Sequence, residues 1–390
     1  MKSFDLGRVP PVTFGAGSMA RVPEIVAASG EGPVFVIADA ALAANGVTDR
    51  LSESLSAKGI AHDIAADVAG EPKETLAEAL CQQARESSCN LIIGIGGGAA
   101  MDTAKLVAAI ARSGLPACEF ALSARALPSG GIPAIAVPTT AGTGSEVTRT
   151  AIVSTPEGVK NWYWGEELMF AHAVLDPELT LTLPPHLTAW TGIDAVAHAL
   201  EASTARSTNP GGHLFGLEAL RILARALPRA VADGTDVEAR GQMLWASMVA
   251  GLALHNCNTH MGHNISHALG SLAPVHHGLA TGLALDVSLP WLTARQDGEA
   301  NYALAAEALG GEARASALPV AFSALMRSCQ IPAELPAVCA TLTAKQLSDA
   351  MKSSANYSMS QNAACPIGFD DLDEIAALMM DLPRADAGAA

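Results

Sequence analysis

The run NLIIGIGGGAAMDTAK, residues 90–105, constrains this chain more tightly than any other. Its apolar residues do not alternate with polar ones, which is the pattern of a strand buried on both faces. Glycines 96, 97 and 98 end the strand, and MDTAKLVAAIA continues at once as a helix. A strand of this kind needs helices on both sides of its sheet. The neighbouring sequence supplies them. A helix is expected near residues 22–29, and PVFVIAD (33–39) is followed by the amphipathic VTDRLSESLSAKG. IAHDIAADV is followed by GEPKETLAEALCQQARESS, with Pro72 and early glutamates marking a helix start. IPAIAVPTTAGTGSEVT is a further strand running into a loop of small residues. Such alternation predicts a parallel α/β layer.

The pattern changes at LTLPPHLTAW. From Leu187 onward the periodicity is helical, with candidate helices at 187–204, 212–227, 236–256, 260–271, 278–291, 300–309, 315–327, 344–354 and 370–380. Pro184 and Pro185 break the chain between the two regimes. The expected organisation is an α/β nucleotide-binding domain over 1–184 and an all-helical domain over 185–390. The tail RADAGAA is expected to be loose.

Net charge is −16, with a pI of about 5.0, so general binding to a phosphate backbone is not expected. No apolar run is long enough for a membrane span, and MKSFDLGRVPP lacks the apolar core of a signal peptide. The seven cysteines are scattered and form no CxxC pair. Free thiols in a reducing cytoplasm are the expectation.

Two loops suit a nucleotide. Gly96, Gly97, Gly98 and Ala99 lead into a helix that would turn its first N–H groups toward a pyrophosphate, with Asp102 in the same run. PTTAGTGSE leaves another strand and offers the hydroxyls of Thr139, Thr140 and Thr143. Asp39, ending the first long strand, could take ribose hydroxyls and repel a 2′-phosphate; a helix cap is the plainer role for it. The spacing is not G-x-G-x-x-G in the first βα turn, and Lys105 lies too far from Gly98 for a P-loop.

Histidines carry the second signal. Asp194 and His198 are four residues apart in WTGIDAVAHALEA, as are His263 and His267 in HNISHALGSLAPVHHG, so each pair shares a helix face. With His277 or His276, between which spacing does not choose, they make a divalent-metal site of one carboxylate and several imidazoles. His172, His186, His213, His255 and His260 have no carboxylate at helical spacing that singles them out, and DLDE (371–374) reads as the solvated start of a helix.

GGGAAMDTAK, PTTAGTGSEVT, DAVAHALEA and HNISHALGSLAPVHHG, in this order across nearly the whole chain, resemble the iron-containing (group III) alcohol dehydrogenase family. The resemblance implies a dehydroquinate synthase-like architecture with the metal in the cleft between the domains. It implies Asp194, His198, His263 and His277 as metal ligands, so His277 rather than His276, and places His267 close to substrate and nicotinamide. It carries NAD recognition to Asp39, with NADP as the lesser choice, and nucleotide contacts to Thr139, Thr140, Thr148 and Lys160. Three departures stand out. Ala99 replaces the usual serine after the glycines, Glu71 lies in Gly-Glu-Pro where Pro-Asn-Pro is common, and residues 356–368 differ from the usual tail.

The reaction so implied is reversible oxidation of a small alcohol by NAD at Fe²⁺, with Zn²⁺ as the alternative metal and His267 as proton relay. A homodimer or higher homo-oligomer is implied too. Trp162 and Trp164 are candidates for a pocket wall. The rival readings are a maleylacetate- or semialdehyde-type carbonyl reductase, for which Arg149 would be the anchor, and a non-catalytic metal-binding protein.

Overall fold

The computed structural model describes residues 3–30 and 32–385. The α/β part contains β1 (Val12–Phe14), α1 (Val22–Ser29), β2 (Val34–Asp39), α2 (Ala40–Ala44), α3 (Val47–Ala57), β3 (His62–Val68) and α4 (Glu74–Glu86). It continues through β4 (Leu91–Gly96), α5 (Gly98–Ile110), β5 (Ala134–Pro138), β6 (Thr150–Ser154), β7 (Lys160–Trp164) and β8 (His172–Leu175). Six of these strands form one parallel sheet in the order β1-β8-β5-β4-β2-β3, and β6 and β7 form a separate antiparallel pair.

The sheet is parallel because its strands bury both faces. Phe35, Ile37, Ile92, Ala134 and Ala136 pack with α4 and α5 on one side. Val34, Val36, Ala38, Ile93, Ile95 and Val137 pack with α1 and α3 on the other. The chain leaves β2 toward β3 on one side and returns as β4 on the other. The strand order therefore reverses between β2 and β4, and a crevice at the carboxyl ends of such strands is where open α/β sheets bind ligands. Asp39 ends β2 and Gly96 ends β4 at this point.

The second unit is helical: α6 (Pro185–Thr204), α7 (Pro210–Ala232), α8 (Val237–Cys257), α9 (Met261–Leu272), α10 (His277–Thr293), α11 (Glu299–Ala308), α12 (Leu318–Ser328), α13 (Ala344–Met351), α14 (Tyr357–Ser360) and α15 (Phe369–Met380). The chain divides between Thr182 and Leu183, but two pieces cross over. Residues 3–7, and Ala141–Thr143 from the second small-residue loop, belong with the helical unit.

The sequence reading missed the β6–β7 pair, β8 and the single-turn α14. The tail is less loose at its start than expected, since Arg384 forms a backbone bridge with Leu335. The remainder of RADAGAA after Ala385 lies outside the described residues. Among those described, no helix is long and apolar enough to cross a membrane.

Candidate metal centre and nucleotide loops

Helix α6 presents a stripe of side chains at helical spacing: Asp194, His198 and, one turn further, Glu201. All three are buried, at 3%, 5% and 0% exposure, so none is a solvated surface group. Helix α9 brings His263 and His267, and α10 opens on His277. Asp194 Oδ1 lies 3.7 Å from His263 Nε2 and 3.6 Å from His277 Nε2. These gaps are too long for hydrogen bonds. They suit a cation that bonds to nitrogen and oxygen at about 2.0–2.2 Å. Asp194, His263 and His277 all offer ligand atoms within 4.8 Å of one another.

The fit is tested by two buried atoms. Asp194 Oδ1 and His263 Nε2 are shut off from solvent and have no hydrogen-bond partner. Leaving such groups unsatisfied costs about 1–3 kcal/mol each, and a shared cation removes the cost of both. His198 stands beside this trio rather than within it. Its ring stacks on that of His263 with centroids 4.6 Å apart, and its Nδ1 lies 3.3 Å from the Gly142 carbonyl. A proton on Nδ1 donated to that carbonyl leaves the ring's lone pair on Nε2. Burial pushes the His198 imidazole down, toward the neutral form a ligand requires.

His267 is edge-on to His277 at 5.3 Å and to His263 at 6.1 Å, so it borders the trio without joining it. His276 caps α10, is exposed, and leans on Trp190. Geometry therefore brings His277 to Asp194, as the family pattern implies. His260, first read as unremarkable, is fully buried and has its Nδ1 3.2 Å from Glu201 Oε1. Glu201 itself was missed. Its place seven residues after Asp194 on the same helix face was the available signal. Burial works against its charge, yet its interactions with His260 and His263 hold its carboxyl down at about 2.

The segment 356–368 is tied to this helix pair. Asn264, next to His263 and fully buried, donates to the carbonyls of Met351 and Asn356 at 3.1 and 2.9 Å.

In the α/β unit, Gly96 adopts φ +148°, and a Cβ there would lie 2.8 Å from that of Asp39. Only glycine lets the two strand ends approach this closely. Gly97 caps α5 in extended conformation with no side-chain hydrogen bond, and no acidic residue occupies the first turn, where Ala99 lies. The first N–H groups of α5 are thus arranged to receive an anion. The second loop lies alongside, with Thr139 N–H donating to the Gly96 carbonyl at 2.9 Å. Thr140 is the neighbour that a side chain at Gly97 would meet. Thr143 falls in the part of the loop grouped with the helical unit.

Asp39 does serve as a cap, accepting from Ala41 N–H at 2.9 Å through Oδ1. Asp102 and Thr148 are engaged within the protein. Asp102 accepts from Ser145 Oγ at 2.7 Å and Ile152 N–H at 2.8 Å, and Thr148 Oγ1 accepts from Lys105 Nζ at 2.9 Å. Their visible work is to brace the second loop and β6 against α5. Burial drives this polar interior toward neutrality, lowering Lys105 to about 8 and raising Glu146 to about 7. Lys160 and Glu71, both expected at the nucleotide, meet each other at 2.9 Å. Arg149 donates to Glu166 at 2.8 Å and lies over the Trp164 ring, while its buried Nε has no hydrogen-bond partner.

The family model described as iron-containing alcohol dehydrogenase matches residues 10–177, and that of the family's C-terminal domain matches 188–365. The probable alcohol dehydrogenase EutG of Escherichia coli (strain K12) is 38% identical, over 71% of this chain and 70% of its own. This chain belongs to the iron-containing alcohol dehydrogenase family. It is an oxidoreductase, and the non-catalytic reading falls away. Long-chain-alcohol dehydrogenase 1 of Geobacillus thermodenitrificans (strain NG80-2) is 35% identical over 77% of this chain and 76% of its own. Among solved structures, sulfoacetaldehyde reductase from Bifidobacterium kashiwanohense in complex with NAD⁺ superposes with a TM-score of 0.88 at 27% identity. That match covers 98% of this chain and all of the other.

Proposed function

We propose that the protein interconverts a small primary or secondary alcohol and its aldehyde or ketone, using NAD and Fe²⁺. The observation that carries this reading is the pair of buried, hydrogen-bond-free atoms, Asp194 Oδ1 and His263 Nε2, converging with His277. Asp194, His198, His263 and His277 would hold the metal. When bound, the dication supplies Lewis acidity to the alcohol oxygen as hydride leaves for the nicotinamide. The chain's own residues do the remainder. The N-terminus of α5 and the threonines of the second loop hold the pyrophosphate and ribose. Asp39 accepts ribose hydroxyls with the oxygen its cap leaves over, and Lys160, partly neutralised by Glu71, contributes a cation. Asp102 and Thr148 keep the second loop in place. His267 takes up the alcohol proton and passes it toward solvent.

A cytoplasmic location and assembly as a homodimer or larger homo-oligomer belong to the same reading. The maleylacetate- or semialdehyde-type reading remains the alternative, with Arg149, paired to Glu166, as the anchor it would use. The test is metal analysis of anaerobically purified protein together with an alcohol and aldehyde panel run with both cofactors. One iron per chain and alcohol-dependent NAD reduction are expected; protein that neither retains iron nor reduces NAD with any alcohol overturns the proposal.

Two substitutions separate the roles. His267→Ala should keep the metal and lower kcat about 100-fold, the lower end of what a general acid–base group contributes; metal lost along with turnover would instead make His267 a ligand. Asp39→Gly should raise the NADP-to-NAD ratio of kcat/KM about tenfold, equivalent to roughly 1.4 kcal/mol of relieved charge repulsion. Glycine replaces an aspartate cap at a cost of only a few tenths of a kcal/mol, so the variant should fold. An unchanged ratio removes Asp39 from cofactor choice.

A further inference from the structure

We infer that Glu201 is a positioning residue that fixes the tautomer of His263, and that the backbone N–H of Gly262 fixes Glu201. The inference rests on the metal site proposed above.

Glu201 lies at 0% exposure, one helical turn beyond His198. His263 Nδ1–H donates to Glu201 Oε2 at 2.5 Å. An imidazole that gives its Nδ1 proton to a carboxylate carries its lone pair on Nε2, the nitrogen facing Asp194. The other carboxylate oxygen, Oε1, accepts from Gly262 N–H at 2.6 Å. The His260 imidazole gives that oxygen no proton. Its Nδ1 accepts from Met261 N–H at 2.8 Å, and its Nε2 lies 3.0 Å from Thr204 Oγ1, whose own proton goes to the Leu200 carbonyl. A ring with Nδ1 as acceptor has no proton there to give. The Gly262 position is also crowded, since a Cβ would meet Leu285 Cγ at 2.7 Å and Glu201 Oε1 at 3.1 Å.

This arrangement makes the isosteric substitution the harmful one. In Glu201→Gln the side chain must still accept from Gly262 N–H, because an NH₂ placed there would oppose another donor. Its oxygen therefore turns to Gly262 and its NH₂ to His263 Nδ1. His263 must then accept at Nδ1 and carry its proton on Nε2, where it blocks coordination. Glu201→Ala leaves the His263 ring free to choose its tautomer, although Gly262 N–H loses its partner. A role confined to filling space or supporting the fold orders the variants the other way, with Gln the milder change.

The experiment measures Zn²⁺ affinity by competition with a chelator on the full-length metal-free chain, wild type against both variants, with thermal unfolding of each metal-free protein alongside. Glu201→Gln is expected to bind Zn²⁺ about 10- to 100-fold more weakly than wild type, the range found for loss of a ligand's hydrogen-bond partner. It should also bind more weakly than Glu201→Ala. Equal affinity of Glu201→Gln and wild type, or Gln binding more tightly than Ala, overturns the inference. Should Glu201→Gln fail to fold, imidazole nitrogen-15 shifts of the metal-free proteins decide: His263 held as the Nδ1–H tautomer in wild type but mixed in Glu201→Ala upholds the inference, and the same tautomer in both overturns it. Failure of the wild type to take up Zn²⁺ would count instead against the metal site itself.

Discussion

Replacing His263 with alanine is expected to strip the protein of its metal and cut turnover by about a thousandfold or more. His263 reaches both the Asp194 carboxylate and Glu201. Removing it deletes a coordinating nitrogen and frees the ligand atoms of α6 from those of α9. Metal assistance is worth several kcal/mol at the transition state, and each 1.36 kcal/mol is a factor of ten in rate. The fold should survive with reduced stability. The Glu201 carboxylate keeps the Gly262 N–H but loses its shortest partner, a loss of about 1–3 kcal/mol for a buried group. Metal content, kcat and thermal unfolding measured on one preparation decide the matter. A folded variant with full metal and full turnover would remove His263 from the ligand set.

The second large effect is expected at Gly278, which binds nothing. A Cβ on this residue would lie 2.0 Å from the Trp190 carbonyl oxygen and 3.3 Å from Asp194 Cβ. The first turn of α10 therefore passes directly over the backbone of α6. The obstacle is main chain, which cannot rotate aside as a side chain can. Gly278→Ala must push the two helices apart, at a cost of about 3 kcal/mol, the upper part of the overpacking range. The displacement falls where Asp194 and His277 meet, so metal affinity should fall with Tm. Denaturant unfolding and metal titration check this, and a variant with wild-type values of both would show that the helices yield without consequence.

The parallel sheet was legible because strands buried on both faces write themselves as unbroken apolar runs, as LIIGIG does. The β6–β7 pair was harder to see. Lys160–Trp164 is short, and its aromatic residues read equally well as a wall or a packing cluster. The helices of the proposed metal centre were legible because i, i+4 spacing is a local rule that Asp194–His198 and His263–His267 both obey. Glu201 shares that helix face at three residues after His198 and seven after Asp194, and was passed over because it stands at i, i+4 from neither. His260 could not be found this way, since its carboxylate neighbour comes from another helix. Asp102 and Thr148 mark a different limit. Sequence places them in the candidate nucleotide loops, but which way a side chain turns within a loop depends on partners such as Ile152 and Lys105.

Strand β1 has a bearing on how the protein comes into being. Val12 pairs with Ala173, and among the described residues β8 is the neighbour of β1 in the sheet. Asp176 then accepts from the backbone of Gly17 and Met19, closing the same seam. Contacts between such distant stretches are slow to form, because loop-closure entropy must be overcome first. During synthesis the opening strand must wait, without its partner, until nearly the whole α/β half has left the ribosome. Chaperone demand should therefore peak late in translation of that half, and a break in the chain ahead of β8 should leave a fragment with an open sheet edge prone to aggregate.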